Sequence, residues 1–333
     1  MDYALIWAIL IAVAVFAYVA LDGFDLGIAM LFPWFKREEH RDVMMNTVAP
    51  VWDGNETWLV LGGGGLLAVF PLAFAVLMPA LYMPVIAMLL GLIFRGVAFE
   101  YRFKTKRGKP IWDLSFMIGS LVAALSQGIM LGAMLQGIKV VDRSYGGGWF
   151  DWLTPFSLFC GLAVVVGYML LGSTWLVMKT RGELQQRSFR AARITALLLA
   201  LSIAVVSLYL PWRDAAIAER WFSFPASVWL WTLPLTLALV TLGLLRSLTR
   251  EHEVAPYLWA LGLFFLSFVG FAISIFPYLV PRSITLWQAA APDNSLVFLL
   301  YGAVILLPII AAYTGYTYWV FRGKVDPDAG YHD

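Results

Sequence analysis

The sequence is poor in the side chains that ligate metals or form disulfides. It holds one cysteine, Cys160, inside an apolar run, and three histidines in 333 residues. A single cysteine excludes an internal disulfide and a cluster of thiolate ligands. The histidines, His40, His252 and His332, fall in loops or in the C-terminal tail, and no two have the spacing of a metal site. We therefore predict that this chain contains no metal site.

Charged residues are also scarce, at 13% of the chain, whereas 61% of the residues are hydrophobic. Soluble domains average about 25% charged and about 45–50% apolar residues, so the composition excludes a soluble globular protein. The net charge is only +2, with no basic block outside short loops, which argues against nucleic-acid binding. Residues 1–5 lack a basic segment and a small-residue cleavage site, so we expect no cleaved signal peptide.

Long apolar runs take the place of these missing residues. A membrane-spanning helix needs about 20 mostly apolar residues, and nine stretches meet this condition. The sequence therefore predicts an all-α integral membrane protein, a single polytopic domain over residues 1–333. The nine predicted spans are residues 4–34, 46–71, 73–101, 112–138, 154–178, 191–211, 225–246, 256–280 and 294–321. The second and third spans nearly touch at Phe70 and Pro71.

The basic residues predict the orientation of these spans. The loops after the first, third, fifth and seventh spans, with the C-terminal tail, hold 17 Lys and Arg residues, whereas the opposite loops hold 5. Loops rich in Lys and Arg stay in the cytoplasm. We therefore expect the N-terminus outside, in the periplasm, and the C-terminus in the cytoplasm. The remaining basic residue, Arg95, lies inside a predicted span.

Several acidic residues share the membrane with Arg95. Asp25 lies 11 residues before Lys36, which places it about 16 Å deep at 1.5 Å per residue. Asp53 lies at a similar depth on the next span. Each has an acidic neighbour three residues away on the same helix face, Asp22 for Asp25 and Glu56 for Asp53. Ionisable groups in a bilayer are costly and mark functional sites.

Glu100 and Asp113 flank the basic loop that follows the third span. With Arg95 and the deeper acids they form a series ordered by depth, which favours proton movement from the cytoplasm. The alternative is static: Asp22 and Asp25 could be satisfied by local backbone, and Asp53 could cap a helix or pair with Arg95, because buried ion pairs often serve only structure.

The absence of histidine from every predicted span also bears on cofactors. Haem iron usually takes an axial His, Cys, Met or Tyr ligand, and methionine in apolar spans most often serves packing. We expect that this chain ligates no haem. If it takes part in electron transfer, the cofactors belong to another chain.

Four segments resemble subunit II of the bacterial cytochrome bd-type quinol oxidases, especially the cyanide-insensitive branch. They are residues 21–27 (LDGFDLG), 45–59 (MNTVAPVWDGNETWL), 94–102 (FRGVAFEYR) and 111–113 (IWD). The length and the nine predicted spans agree with that family, so the resemblance covers essentially the whole chain.

The resemblance implies a haem-free subunit in a complex of the bacterial inner membrane that oxidises quinol and reduces dioxygen to water. The partner, subunit I, would carry b-type haems, haem d or a b-type replacement, and the quinol site; small accessory subunits and lipids would accompany it. It implies a proton path through subunit II at matching positions: Asp25, Asp53, Arg95, Glu100 and Asp113, with Asp22 and Glu56 secondary. Some relatives have Asp at the position of Glu100, and some hold a structural quinone, here near Trp52.

Two other functions stay open at this stage. A purely structural scaffold for subunit I would conduct nothing. A secondary transporter could use the region of Asp25 and Asp53 as an ion site if residues 22–27 formed a helix break, since broken helices at the midplane are typical of transporters.

Overall fold

The computed structural model describes residues 1–105 and 107–325. These residues form a helical bundle with two short β-hairpins, β1 (Val140–Val141) with β2 (Ser144–Tyr145) and β3 (Tyr278–Val280) with β4 (Ile284–Thr285). A short 3₁₀ helix covers Phe32–Trp34. The α-helices are α1 Tyr3–Met30, α2 Glu38–Asn46, α3 Trp52–Val69, α4 Pro71–Ala80, α5 Tyr82–Arg102, α6 Lys109–Gln136, α7 Pro155–Lys179, α8 Gly182–Arg213, α9 Ala215–Phe222, α10 Ala226–Leu230, α11 Thr232–Thr249, α12 Ala255–Ile275, α13 Leu286–Ala289 and α14 Asp293–Val320.

Within the described ranges, eight segments are long and apolar enough to cross a membrane, and the bent pair α3 and α4 raises the number to nine if it counts as one span. The eight are α1, α5, α6, α7, α8, α10 with α11, α12 and α14. Each of the nine predicted spans corresponds to one of these helices or to α3. The prediction of an all-α, multi-pass membrane protein is confirmed.

The second and third predicted spans have wrong boundaries. Residues 38–46 form α2, so the second span begins at Trp52 rather than at 46. Pro71 starts a new helix, α4, at an angle of 119° to α3, because proline fits the first turn of a helix but cannot continue one. The third long helix therefore begins at Tyr82, nine residues after the predicted start.

Two further boundaries also differ. Helix α8 begins at Gly182, nine residues before the predicted start at 191, because polar and basic residues continue the helix on the side of the basic loops. Helix α12 ends at Ile275, and residues 278–280 belong to β3 instead of completing a span to 280. We call the side of the molecule that bears the loops rich in Lys and Arg the basic side.

Close helix contacts hold the buried charges in place. A Cβ on Gly27 of α1 would overlap the carbonyl oxygen of Tyr168 on α7, and one on Gly172 would lie 2.6 Å from the backbone of Gly27. Helices α5 and α6 approach in the same way, since a Cβ on Gly91 would lie 2.5 Å from the carbonyl oxygen of Gly119. Small residues at such crossings allow helices to approach closely in lipid.

Candidate functional site

Four ionisable side chains from three helices meet inside the bundle; we call Asp22, Asp25, Glu56 and Arg95 the inner cluster. Arg95 Nη1 lies 2.6 Å from Asp22 Oδ1, and Arg95 Nη2 lies 3.3 Å from Glu56 Oε1. Asp22, Asp25 and Arg95 are fully buried, whereas the Glu56 side chain is 27% exposed. The structure thus brings Arg95 to two acids that the sequence marked as secondary.

The inner cluster keeps unfilled hydrogen-bonding capacity. Arg95 Nε and Asp25 Oδ1 have no hydrogen-bond partner among the described residues, and the Arg95–Asp22 ion pair is close without being an aligned hydrogen bond. Buried polar atoms without partners are costly. Unfilled donors and acceptors of this kind give protons or water a place to bind.

Asp25 has a neutral partner that sequence reasoning missed. Asn55 Nδ2 donates to Asp25 Oδ2 at 2.8 Å and to the carbonyl oxygen of Leu21 at 3.1 Å. The Tyr318 hydroxyl of α14 donates to Asn55 Oδ1 at 2.9 Å. Asn55 lies within the WDGN segment, between Asp53 and Glu56, but an amide carries no charge that would have singled it out in an apolar span.

A second neutral network adjoins the inner cluster. Gln127 Nε2 of α6 donates to the Tyr18 hydroxyl at 2.8 Å, and the Tyr168 hydroxyl of α7 donates to Gln127 Oε1 at 2.6 Å. Tyr18 stands one helical turn before Asp22, on the same face of α1. These three residues connect α1, α6 and α7 beside Asp22.

A separate set of charged side chains lies near the basic side. We call it the basic-side cluster; its members are Arg41, Asp42, Arg102, Lys109 and Asp113. Arg102 is fully buried; its Nε donates to Asp113 Oδ1 at 2.5 Å, and its Nη1 pairs with Asp42. Arg41 Nη1 donates to Asp113 Oδ2 at 2.9 Å. Asp113, predicted as the mouth of a path, is therefore held between two arginines.

Glu100 does not join either cluster. Its side chain is exposed and pairs with Lys104 one turn later, at 3.2 Å. At the same edge of the molecule, the Lys109 ammonium hydrogen-bonds to Glu38 at 2.7 Å and lowers the pKa of that exposed carboxyl. These surface pairs are of the kind that contributes little to stability.

An aromatic layer of Phe32, Trp52, Phe99 and Phe116 separates the two clusters. Phe99 follows Arg95 by four residues and precedes Arg102 by three, so it lies between the two arginines along α5. Its ring lies 4.9 Å from that of Trp52 and 4.9 Å from that of Phe116, which in turn lies 5.1 Å from Phe32. The depth-ordered series is therefore interrupted here, because the sequence gives depth along helices but not the rings packed between them.

Asp53 lies outside the inner cluster. It stands in the first turn of α3 with its side chain exposed on the surface of this chain, and no ion pair joins it to another described residue. The static pairing of Asp53 with Arg95 is thus wrong. Trp52, the predicted contact of a quinone, has one ring face stacked on Phe99.

The described residues contain no group of three or more His, Cys, Asp or Glu side chains placed to hold a metal ion. His40 and His252 lie in α2 and in the loop before α12, away from the long apolar helices. His332 lies outside the described residues.

Comparisons with known proteins agree on one family. The family model described as cytochrome bd terminal oxidase subunit II matches residues 3–321. The chain is 32% identical to cytochrome bd-I ubiquinol oxidase subunit 2 of Escherichia coli (strain K12), covering 96% of this chain and 94% of the relative. It is 28% identical to cytochrome bd ubiquinol oxidase subunit 2 of Bacillus subtilis (strain 168), with 96% of each chain covered.

A solved structure shows the same fold. The bd oxidase structure from Geobacillus thermodenitrificans contains a chain that matches with a TM-score of 0.76 at 16% identity, over 97% of this chain and 100% of that one. Family, relatives and apolar helices together indicate a multi-pass protein of the bacterial inner membrane. The chain belongs to the cytochrome bd terminal oxidase subunit II family.

Proposed function

We propose that this chain is the haem-free subunit II of a quinol:dioxygen oxidoreductase, and that it carries cytoplasmic protons toward the haem-bearing subunit I. The basic side faces the cytoplasm in this proposal, with the N-terminus in the periplasm, because loops rich in Lys and Arg stay inside. The quinol substrate and the oxygen chemistry belong to the complex as a whole.

The observation that carries the proposal is the inner cluster. Two carboxyl groups, Asp22 and Glu56, contact one guanidinium there, and a third, Asp25, lies one helical turn from Asp22 with Asn55 as its partner. One of the two paired acids can therefore bind a proton without leaving Arg95 unpaired. Ionisable groups held at such depth are costly in lipid. A cluster that only stabilised the fold would need no more than the Arg95–Asp22 pair.

The remaining predicted residues fit the two ends of such a path. Asp113 and Glu100 lie toward the cytoplasm, where they would attract protons to the surface. Asp53 is exposed on α3, where a charged side chain would be unfavourable against lipid and is better placed against subunit I. Asp53 would therefore be the point at which protons leave this chain.

The residues of this chain do not fit a haem. The described histidines lie in α2 and in the loop before α12, away from the long apolar helices, and the carboxyl groups of the inner cluster are engaged by Arg95 and Asn55. We therefore assign the haems of the complex to subunit I. A structural quinone beside Trp52 remains an expectation from the family resemblance; the ring face opposite Phe99 is where it would stack.

The test is turnover of the intact complex with Asp25→Asn or Asp53→Asn. Each change removes a titratable group but keeps the size of the side chain, so we expect oxygen consumption to fall about tenfold or more with normal haem content. Glu219→Gln is the matched control, since Glu219 is exposed on α9, away from both clusters. Unchanged turnover of Asp25→Asn would contradict the proton path, and unchanged turnover of Asp53→Asn would contradict the role of Asp53 as its exit.

The scaffold hypothesis is the second candidate, and the close crossing of α1 and α7 at Gly27 and Gly172 favours it. It predicts that the two amide variants change only the yield of the complex, or nothing. The transporter hypothesis loses its sequence argument, because it required a helix break at residues 22–27 and α1 continues without interruption from Tyr3 to Met30.

A further inference from the structure

A cleft on the basic side leads toward Asp25 between α3 and α14. Its walls include Gly54 and Asn55 from α3 and three hydroxyl side chains from α14, Thr314, Thr317 and Tyr318. The cavity between these walls measures about 20 Å³, which is enough for one water molecule. Hydroxyl and amide groups on both walls supply the polar partners that a bound water needs.

Asn55 and Tyr318 join this cleft to Asp25. Both residues line the cavity, and the hydrogen bonds run from the Tyr318 hydroxyl to Asn55 and from Asn55 to Asp25 Oδ2. Asp25 is fully buried, and its other oxygen, Oδ1, has no hydrogen-bond partner in the described part of the chain. The buried carboxyl therefore lies one side chain away from a cavity that can hold water.

The route from the basic-side cluster is less favourable. Phe99 and Phe116 are at most 2% exposed, and their packed rings lie between Asp113 and the inner cluster. Protons move through hydrogen-bonded groups and water, and these rings offer neither. The cleft avoids the aromatic layer because it opens between α3 and α14 instead of between α5 and α6.

We propose that Asp25 takes its proton from water in the cleft between α3 and α14, and that Asn55, held by Tyr318, is the positioning residue for this step. The inference rests on the proposed proton-carrying function. A hydrated proton in the cleft passes beside the Asn55 amide to the Asp25 carboxylate, so that one O–H bond breaks in the donor and one forms on Asp25. Asn55 does not carry the proton, because an amide does not titrate near neutral pH; it orients the carboxyl toward the cleft.

The first test removes one hydroxyl. Tyr318→Phe keeps the ring that packs near Phe24 and Trp175, with centroids 6.4 and 6.0 Å away, but it frees Asn55. In the intact complex we expect turnover to fall by up to about tenfold, the effect of one lost hydrogen bond in the step. The KM for quinol should stay unchanged and the solvent deuterium isotope effect should rise. Tyr316→Phe, on an exposed tyrosine of the same helix, is the control.

The second test probes water in the cleft directly. The native cysteine of this chain, Cys160, is buried, so a new cysteine can be labelled selectively once the accessible cysteines of the partner subunits are replaced by serine. Thr314→Cys faces the cleft, whereas Gly315→Cys, one residue on, has open space around it outside the cleft. We expect a charged methanethiosulfonate, applied to inverted membrane vesicles, to modify only Thr314→Cys and to slow oxygen consumption.

The outcomes separate this inference from the function on which it rests. If Asp25→Asn leaves turnover unchanged, the proton path itself fails. If Asp25→Asn slows turnover while Tyr318→Phe behaves like Tyr316→Phe, the positioning role of Asn55 is wrong. Failure of Thr314→Cys to react, or a reaction no faster than that of Gly315→Cys, would contradict a cleft that admits water preferentially.

Discussion

At the scale of single residues, a charged side chain in an apolar span is a strong indication of a functional site, whereas an uncharged polar side chain is a weak one. Arg95 and its acids could be predicted because lipid penalises them individually. Asn55, Tyr318 and Gln127 could not, since their importance comes from the partners they meet across helices. The spacing of Asp53 and Glu56 placed them on one face, but residues three apart differ by about 60° around a helix, enough to expose Asp53 and turn Glu56 toward Arg95.

Arg95→Gln should prevent assembly of a stable complex. The change removes the cation that pairs with the buried Asp22 and the partly exposed Glu56, and breaking a buried pair such as Arg95–Asp22 costs about 3–5 kcal/mol. Yield and thermal stability of the purified complex measure the effect. The double variant Arg95→Gln with Asp22→Asn should recover part of the loss, because the unpaired carboxylate is removed. Normal stability of Arg95→Gln alone would show that the ion pairs are dispensable.

At the scale of elements, apolar length predicts which segments are long helices but not how they are joined. Pro71 indicates a break, and the structure has one there. The direction of α4 could not be predicted, because it depends on packing against β2, β3 and α13, which lie up to about 200 residues away in the sequence. The glycines at helix crossings could not be predicted either. The run of glycines at residues 62–65 stands out in the sequence, yet the tightest helix contact lies at Gly27, against the backbone of Tyr168.

Gly27→Ala should destabilise the complex. The added methyl would overlap the carbonyl oxygen of Tyr168 and force α1 away from α7; overpacking of this kind typically costs about 1–3 kcal/mol. Gly63→Ala is the matched control, because a Cβ at Gly63 meets nothing within 4 Å. Thermal unfolding of the two variants in the same detergent compares them. A melting temperature for Gly27→Ala equal to that of the control would mean that the helices can separate freely.

On the side opposite the basic loops, Asp214 caps α9 and pairs with Arg282 of the β3–β4 hairpin. Partial burial alone would raise the pKa of Asp214, but the hydrogen bond and charge of Arg282 outweigh it and lower the pKa below the usual 3.8. A carboxyl group whose pKa is lower in the folded chain than in the unfolded chain stabilises the fold at pH values above the usual pKa. This stabilisation is lost as the pH falls below that value.

We therefore expect α9 to unfold locally more often below about pH 4. Its backbone amides should then exchange hydrogen faster than they would if the stability of the helix did not depend on pH. Asp214→Asn keeps a capping side chain but removes the charge, so its α9 amides should already exchange faster at pH 6. Hydrogen-exchange mass spectrometry of both forms provides the measurement. Identical protection of α9 in the two proteins at pH 6 would exclude a role for the ion pair.

At the scale of the whole molecule, one helix face bears groups unsuited to lipid. Asp53 and Gly64 are both exposed on α3, and 11 residues, close to three full turns, separate them. Thr57 and Val60 lie between them on the same exposed stripe. A charged residue in line with a small one suits a protein partner, since small residues let another helix approach. We infer that subunit I covers this stripe.

Gly64→Trp should therefore weaken association with subunit I. A Cβ at Gly64 meets nothing within this chain, so the indole would project outward without disturbing the fold. Ala204→Trp puts the same ring on an exposed position of α8 and serves as the control. Co-purification of tagged subunit II with subunit I should drop for the first variant and not for the second. Equal recovery of both complexes would place the interface elsewhere.

The aromatic layer has a consequence for the membrane voltage. Packed rings exclude water, and an electric field is strongest where the dielectric constant is low. Much of the potential difference would therefore fall across the segment around Phe99 and Phe116. Carrying one charge across the full membrane corresponds to about 2.3 kcal/mol per 100 mV, and a proton drawn outward from a negative cytoplasm moves against that field. A proton that enters by the cleft between α3 and α14 reaches the depth of Asp25 without crossing these rings, so in the proposed route the electrical work is done in the steps beyond Asp25.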